Sequence, residues 1–245
     1  MIEWALARLA RIIAGASVRF TAPLEPPERQ RVYFGNHTSH LDFILIWSAL
    51  PAEVRAHTRP VAGADYWMRG RVRRYLATRV FHAVVIERAV QGALTGHSRE
   101  ESGSRHVLSH VRDDTMDLSH VRDDTMDLPH VRDDTRGAMG TVHAIARAMG
   151  EETSIIVFPE GTRSPDGALL PFRSGLYHLC QLKPELELVP VYLDNMTRIL
   201  PKGEVLPVPL LSRVTFGAPQ RMEPGEEKRA FLTRMRDTLV ALREG

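Results

Sequence analysis

The sequence contains a single cysteine, Cys180. That excludes an intramolecular disulfide and any multi-cysteine metal cluster, and it suits a reducing compartment. Net charge is equally scarce: the formal sum is +2, too small to point to a partner. Long apolar runs are missing as well. The nearest approach, "MIEWALARLARIIAGASVRF" over residues 1–20, is interrupted by Glu3, Arg8, Arg11 and Arg19. A helix that crosses a bilayer needs about 18 or more continuous apolar residues. The same stretch lacks the charge-free core and small-residue cleavage site of a secretory signal. No series of aromatics suited to stacking bases is evident, so nucleic acid is not an expected partner.

What is present suits a globular chain. At 245 residues, with 43% hydrophobic and 25% charged residues, it fits one large domain with a real core, or one domain with an appendage. In residues 1–20, Ile2, Leu6, Leu9, Ile13 and Ala16 fall on one helical face, with Glu3, Arg8 and Arg11 away from it. Such a helix either lies in a lipid interface or docks on the protein's own core. Between Arg55 and Arg79 there are seven arginines (55, 59, 69, 71, 73, 74, 79) against one acid, Asp65. This patch is either a solvated face or an attractor of anions such as phosphates, acidic proteins or lipid headgroups. Trp67 and Tyr75 lie within it as candidates for the same contact.

Along the chain, the Pro-rich connector "TAPLEPPERQ" precedes a short buried strand, "RVYFGNH", and a helix, "LDFILIWSAL". "RPVAGADYW" reads as a strand and turn, "GRVRRYLATRV" as a helix and "HAVVIER" as a strand. After residue 136 come the helix "GAMGTVHAIARAMG", the strand "SIIVF", the helix "PFRSGLYHLCQL" and the strand "LELVPVYLDN". Weaker strands follow around "VLPVPLLSRVTFG", and the amphipathic "EEKRAFLTRMRDTLVALRE" closes the chain. Strands alternating with helices predict an α/β protein with a mixed, mostly parallel sheet covered on both faces.

Residues 97–136 differ in kind. "SHVRDDTMDL" occurs twice and "PHVRDDTRG" follows, with ten acids and six arginines from Ser98 to Arg136. Solenoid units run about 20–50 residues, so a polar ten-residue unit reads as a solvated low-complexity insertion. The expected organisation is an amphipathic helix at 1–20 and a domain at 31–245 interrupted by 97–136.

Two short stretches carry the chemistry. In "NHTSHLD", Ser39 and Asp42 have the spacing of a capping box at the start of a helix. With the strand ending at His37 and the helix starting near Ser39, the chain turns between His37 and Asp42. The carboxylate then reaches one imidazole nitrogen and leaves the other free to take a proton from a hydroxyl. A third reading takes His37, His40 and Asp42 as metal ligands for a hydrolase. In "VFPEGTRSPDG", Pro159 stops a strand, and Glu160, Gly161, Thr162 and Arg163 form a turn beyond its end, where open α/β sheets bind ligands. Gly161 permits close backbone approach, and Arg163 offers a fork matched to phosphate oxygens.

"NHTSHLD" and "FPEGTRS", in this order, resemble the glycerolipid acyltransferase family typified by 1-acylglycerol-3-phosphate acyltransferases. The family's first motif, Asn-His-x-x-x-x-Asp, is met by Asn36, His37 and Asp42, and a second, looser one by "VVIER" with Arg88. The third, Phe-Pro-Glu-Gly-Thr-Arg-Ser, is matched letter for letter from Phe158 to Ser164, and "PFRSG" and Pro190 resemble later elements. Family members often carry a lysine near the position of Gly63 or Ala64, and none is here.

The resemblance implies the glycerol-3-phosphate acyltransferase-like fold and transfer of a fatty acyl group from acyl-CoA or acyl carrier protein to a glycerol hydroxyl. No cofactor is implied beyond that co-substrate. His37 and Asp42 would be catalytic, with Arg88, Glu160, Gly161, Thr162 and Arg163 binding substrate. The acceptor would be lysophosphatidic acid, another lysophospholipid, a lyso-aminolipid or glycerol 3-phosphate. A membrane-bound acceptor implies a peripheral membrane protein on the cytoplasmic face.

Overall fold

The computed structural model describes residues 17–39, 41–86, 138–194 and 212–244. Residues 1–16, His40, Arg88, the 97–136 repeat and the first part of "VLPVPLLSRVTFG" lie outside them.

Among the described residues seven strands form one sheet: β1 Ser17–Phe20, β2 Arg31–Gly35, β3 Thr58–Gly63, β4 Val84–Ile86, β5 Ser154–Val157, β6 Glu187–Asp194 and β7 Arg213–Phe216, in the order β1-β7-β6-β2-β5-β3-β4. Among the described strands only β6 and β7 pair antiparallel; β2 runs parallel to both β5 and β6 at the centre. This is the mixed, mostly parallel sheet that the alternating pattern predicts. Parallel neighbours need crossovers, and the helices supply them while covering both faces.

The two sides of β2 show how the layers are built. Tyr33 points into a cluster with Phe43, Ile46 and Trp47 of α1 (Asp42–Ala49), together with Trp67, Val80 and Phe81. Val32 and Phe34 point the other way. There they meet Val142 and Met149 of α5 (Ala138–Met149), Leu179 of α6 (Gly175–Leu182) and Phe231 and Met235 of α7 (Lys228–Glu244). Because both faces are covered, all five residues of β2 are buried and the strand reads as a continuous run rather than an alternating one. Between α1 and β4 lie α2 (Ala52–Ala56), α3 (Ala64–Trp67) and α4 (Arg71–Tyr75), which continues as a π-helical turn over Leu76–Val80.

Three expectations change. Residues 17–20, read as the end of an amphipathic helix, are an edge strand paired with β7. Phe20 stacks on Phe216 with ring centroids 4.6 Å apart, and Val18 packs against the core, so tertiary contact overrides the helical spacing. The segment after β3, read as a turn, is the short helix α3. Trp67, a candidate for surface contact, is only 8% exposed and packs edge-on against Phe43; it belongs to the core.

Arg31 is wholly buried at the start of β2, where its Nε donates to Glu187 Oε2 at 3.1 Å. Glu187 also accepts from Arg29, so this cluster ties β2 to β6 at the end of the strands remote from the motif residues.

Candidate active site

β2 ends at Gly35, where a Cβ would come 2.8 Å from the Val191 carbonyl oxygen; only glycine lets β6 approach so closely. Asn36 prolongs the ladder with its side chain. Its amide nitrogen donates to the Leu193 carbonyl at 2.9 Å, and its Oδ1 accepts from the Leu193 N–H at 2.8 Å. The chain is thereby clamped to β6 until His37, where it leaves the sheet.

His37 is held by three contacts, two of them to the ring. Nδ1 lies 2.9 Å from Asp42 Oδ2, the main-chain N–H donates to Glu160 Oε1 at 2.8 Å, and the ring stacks on Phe158 with centroids 4.2 Å apart and planes 11° apart. An ionised carboxylate only accepts, so the neutral ring carries its proton on Nδ1 and the lone pair on Nε2. No described residue bonds Nε2.

Asp42 is fully buried. Its Oδ2 also accepts from the main-chain N–H groups of Thr38 at 2.6 Å and Ser39 at 2.8 Å. These bonds satisfy one oxygen of a buried side chain and fix its distance to the ring. The expected capping box does not form: Leu41 rather than Ser39 occupies the N-cap, with no side-chain cap bond, and the Ser39 hydroxyl accepts from Leu41 N–H. Asp42 instead ties the 38–39 main chain and the ring through one oxygen.

The second motif closes on the first. β5 ends at Val157, and Phe158 to Gly161 form a turn closed by Gly161 N–H donating to the Phe158 carbonyl at 3.0 Å, with Gly161 at φ +71°. Glu160 is 2% exposed and splits its oxygens between His37 N–H and Leu170 N–H, the latter at 3.0 Å. Burial is the largest influence on its carboxyl and raises it above the ordinary value; the two N–H donors and His37 oppose this. Ser164 N–H then donates to the His37 carbonyl at 2.7 Å. The turn 160–164 is thus bonded to His37 through both its N–H and its C=O. Thr162 and Arg163 stand exposed on it.

A model of the family described as Acyltransferase matches residues 17–194. The chain belongs to the acyltransferase family. Among its relatives is the 1-acyl-sn-glycerol-3-phosphate acyltransferase of Cocos nucifera, 33% identical over 93 residues, which are 38% of this chain and 30% of that protein. The enzyme of the same description from Limnanthes alba is 49% identical over 59 residues, 23% of this chain and 21% of that protein. The matched stretches thus span less than a third of the length of these curated relatives. The fold is that of the crystallised 1-acyl-sn-glycerophosphate (LPA) acyltransferase PlsC from Thermotoga maritima. The TM-score is 0.61 at 16% identity, covering 99% of this chain and 78% of that one.

In this acyltransferase-family chain the structure brings together His37, Asp42, Glu160, Gly161 and the turn bearing Thr162 and Arg163. Arg88 and His40 lie outside the described residues. The three-ligand metal reading requires His40, which lies outside the described residues; of its other two members, His37 Nδ1 and Asp42 Oδ2 bond each other. Sequence reasoning missed Phe158, which fixes the imidazole plane, and the ladder role of Asn36. An aromatic immediately before the Pro-Glu turn was the available signal for Phe158, but nothing local connects it to a histidine 121 positions earlier.

Proposed function

We propose that the protein moves a fatty acyl group from an acyl-CoA or acyl-carrier-protein thioester to the free hydroxyl of 1-acylglycerol 3-phosphate, forming phosphatidic acid. What carries this reading is the single hydrogen-bonded unit of His37, Asp42 and the 160–164 turn. Nε2 takes the hydroxyl proton while the acceptor oxygen attacks the thioester carbonyl. Asp42 holds the ring and compensates the imidazolium that forms. As the tetrahedral intermediate collapses, the C–S bond breaks, the new ester remains, and Nε2–H returns its proton to the departing thiolate. No acyl-enzyme is needed, because the nucleophile is the substrate's own oxygen. Arg163 binds the acceptor's phosphate, with Arg88 as a second contact, while Glu160, Gly161 and Thr162 shape the cleft. The relatives' printed substrate supports lysophosphatidic acid as the acceptor.

We also place the protein at a membrane surface, peripherally and on the cytoplasmic side. Among the described residues no helix is long and apolar enough to span a bilayer. Supporting a surface contact, α4 follows β3, whose carboxyl end shares a sheet edge with those of β2 and β5. Arg69, Arg71, Arg74 and Arg79 are exposed there, beside Val72 at 72% and Tyr75 at 52% exposure. Arginine with exposed apolar groups suits an anionic lipid interface.

The deciding experiment offers the purified protein lysophosphatidic acid and acyl-CoA or acyl carrier protein in mixed micelles, with His37→Ala as control. Loss of a general base lowers the rate by about 10²–10⁴; turnover near wild type in the variant refutes the mechanism.

A further inference from the structure

One charged group at the site has no place in the chemistry above. Arg173 stands ten residues past Arg163 in sequence, yet it is fastened to the same turn. Its main-chain N–H donates to the Pro159 carbonyl at 2.8 Å, and its Nε donates to the Glu160 carbonyl at 3.2 Å. Its side chain lies across Gly161, where a Cβ would fall 2.6 Å from Nε and 2.7 Å from Cδ. The glycine of the motif is therefore needed twice, for the turn's φ of +71° and for the passage of this arginine.

Elsewhere Arg29, Arg31, Arg221 and Arg234 each have a glutamate within reach. Among the described residues Arg173 and Arg163 have none. Of the carboxylates on this loop, Glu160 gives both its oxygens to main-chain N–H groups, and Asp166 accepts from the Ser164 hydroxyl and Ala168 N–H. Arg163 on the turn and Arg173 fastened to it, neither paired to a carboxylate, leave positive charge that an anion relieves. With Nε anchored on a carbonyl, the two terminal nitrogens of Arg173 present a held edge, and a fork held in advance suits a phosphate.

We propose that Arg173 and Arg163 form a two-arginine clamp for the phosphate of the acceptor, with Gly161 as the gap through which Arg173 reaches it. This rests on the acyl-acceptor reading of the site and adds to it a binding residue. Because the turn is bonded to His37 at both N–H and C=O, a phosphate held there keeps the adjoining glycerol hydroxyl near the imidazole.

The test uses the full chain with soluble 1-hexanoylglycerol 3-phosphate as acceptor. Arg173→Gln is expected to raise the KM for this acceptor about ten- to hundredfold, the usual loss for a charged hydrogen bond. The KM for acyl-CoA should stay within about twofold, and Arg173→Lys should recover part of the loss because charge returns without the fork. Calorimetric binding of the same acceptor gives a second readout independent of turnover, and Gly161→Ala should weaken it likewise by displacing Arg173. An unchanged acceptor KM and Kd in a folded Arg173→Gln overturns the clamp while leaving the acyltransferase reading intact. So does a rise confined to the KM for acyl-CoA, which would move the site to the donor's phosphates. Absence of calorimetric binding by the wild type overturns it also. Tight binding that Arg173→Gln weakens, without turnover of any donor, keeps the clamp and refutes the acyltransferase reading.

Discussion

Replacing Asp42 by Asn tests the dyad with little disturbance to the backbone. The amide oxygen can take the position of Oδ2 and continue to accept from Thr38 N–H, Ser39 N–H and His37 Nδ1–H, the three bonds now made at 2.6, 2.8 and 2.9 Å. The turn and the tautomer are then retained, and what disappears is the negative charge facing the imidazolium as it forms. With an N···O distance of 2.9 Å the centres of charge lie about 4 Å apart. At an effective dielectric of about 20 the attraction is about 4 kcal/mol. At roughly 1.4 kcal/mol per tenfold in rate, kcat should fall about a thousandfold. The KM values for acceptor and donor should change little, since neither substrate touches Asp42. The assay is steady-state turnover of lysophosphatidic acid and acyl-CoA in mixed micelles, with urea unfolding to verify that the variant is folded. A folded Asp42→Asn variant with kcat within about tenfold of wild type would refute the electrostatic role and leave Asp42 only as a tie for the main chain of Thr38 and Ser39.

Three further outcomes are expected. Glu160→Gln has one acceptor where the structure uses two, so either His37 N–H or Leu170 N–H loses its bond in a buried site, costing about 1–3 kcal/mol in urea unfolding; wild-type stability in the variant would remove Glu160 as the tie between the motifs. Burial raises the Glu160 carboxyl above its ordinary 4.5, so its ionisation favours the unfolded chain. Its stabilising contribution is complete below the unfolded value and is lost as pH rises through the folded one. The wild type's advantage over Glu160→Gln should therefore be larger in acid than at neutral pH, and a gap that widens with pH contradicts this. For the membrane, the truncation must stop after residue 16, because Ser17–Phe20 is an edge strand. The truncated protein should leave anionic vesicles for the supernatant in sedimentation, and equal vesicle binding would count against residues 1–16 as an anchor.

The α/β class was legible because its signals are local. Buried strands such as "RVYFG" and "SIIV" show as apolar runs, and α7 shows as a stripe through Phe231, Met235 and Leu239, all fully buried. Pro159 and Gly161 mark the end of β5 and its turn through backbone chemistry alone. The pairing of His37 with Asp42 was also open to reading, since five residues suffice to turn a strand end back on a helix start. Residues 17–20 were misread because a parallel edge strand takes its conformation from β7, nearly two hundred residues away.

Sequence by itself determined which groups the protein owns and where each strand gives way to a turn, because those follow from side-chain type and backbone restriction over a few residues. Tertiary structure alone decided what those groups face. The stack of Phe158 on His37 and the ladder of Asn36 on β6 join segments far apart in the chain. They arise only when β2 lies between β5 and β6, and that order is chosen by the two cores as a whole rather than by any single motif.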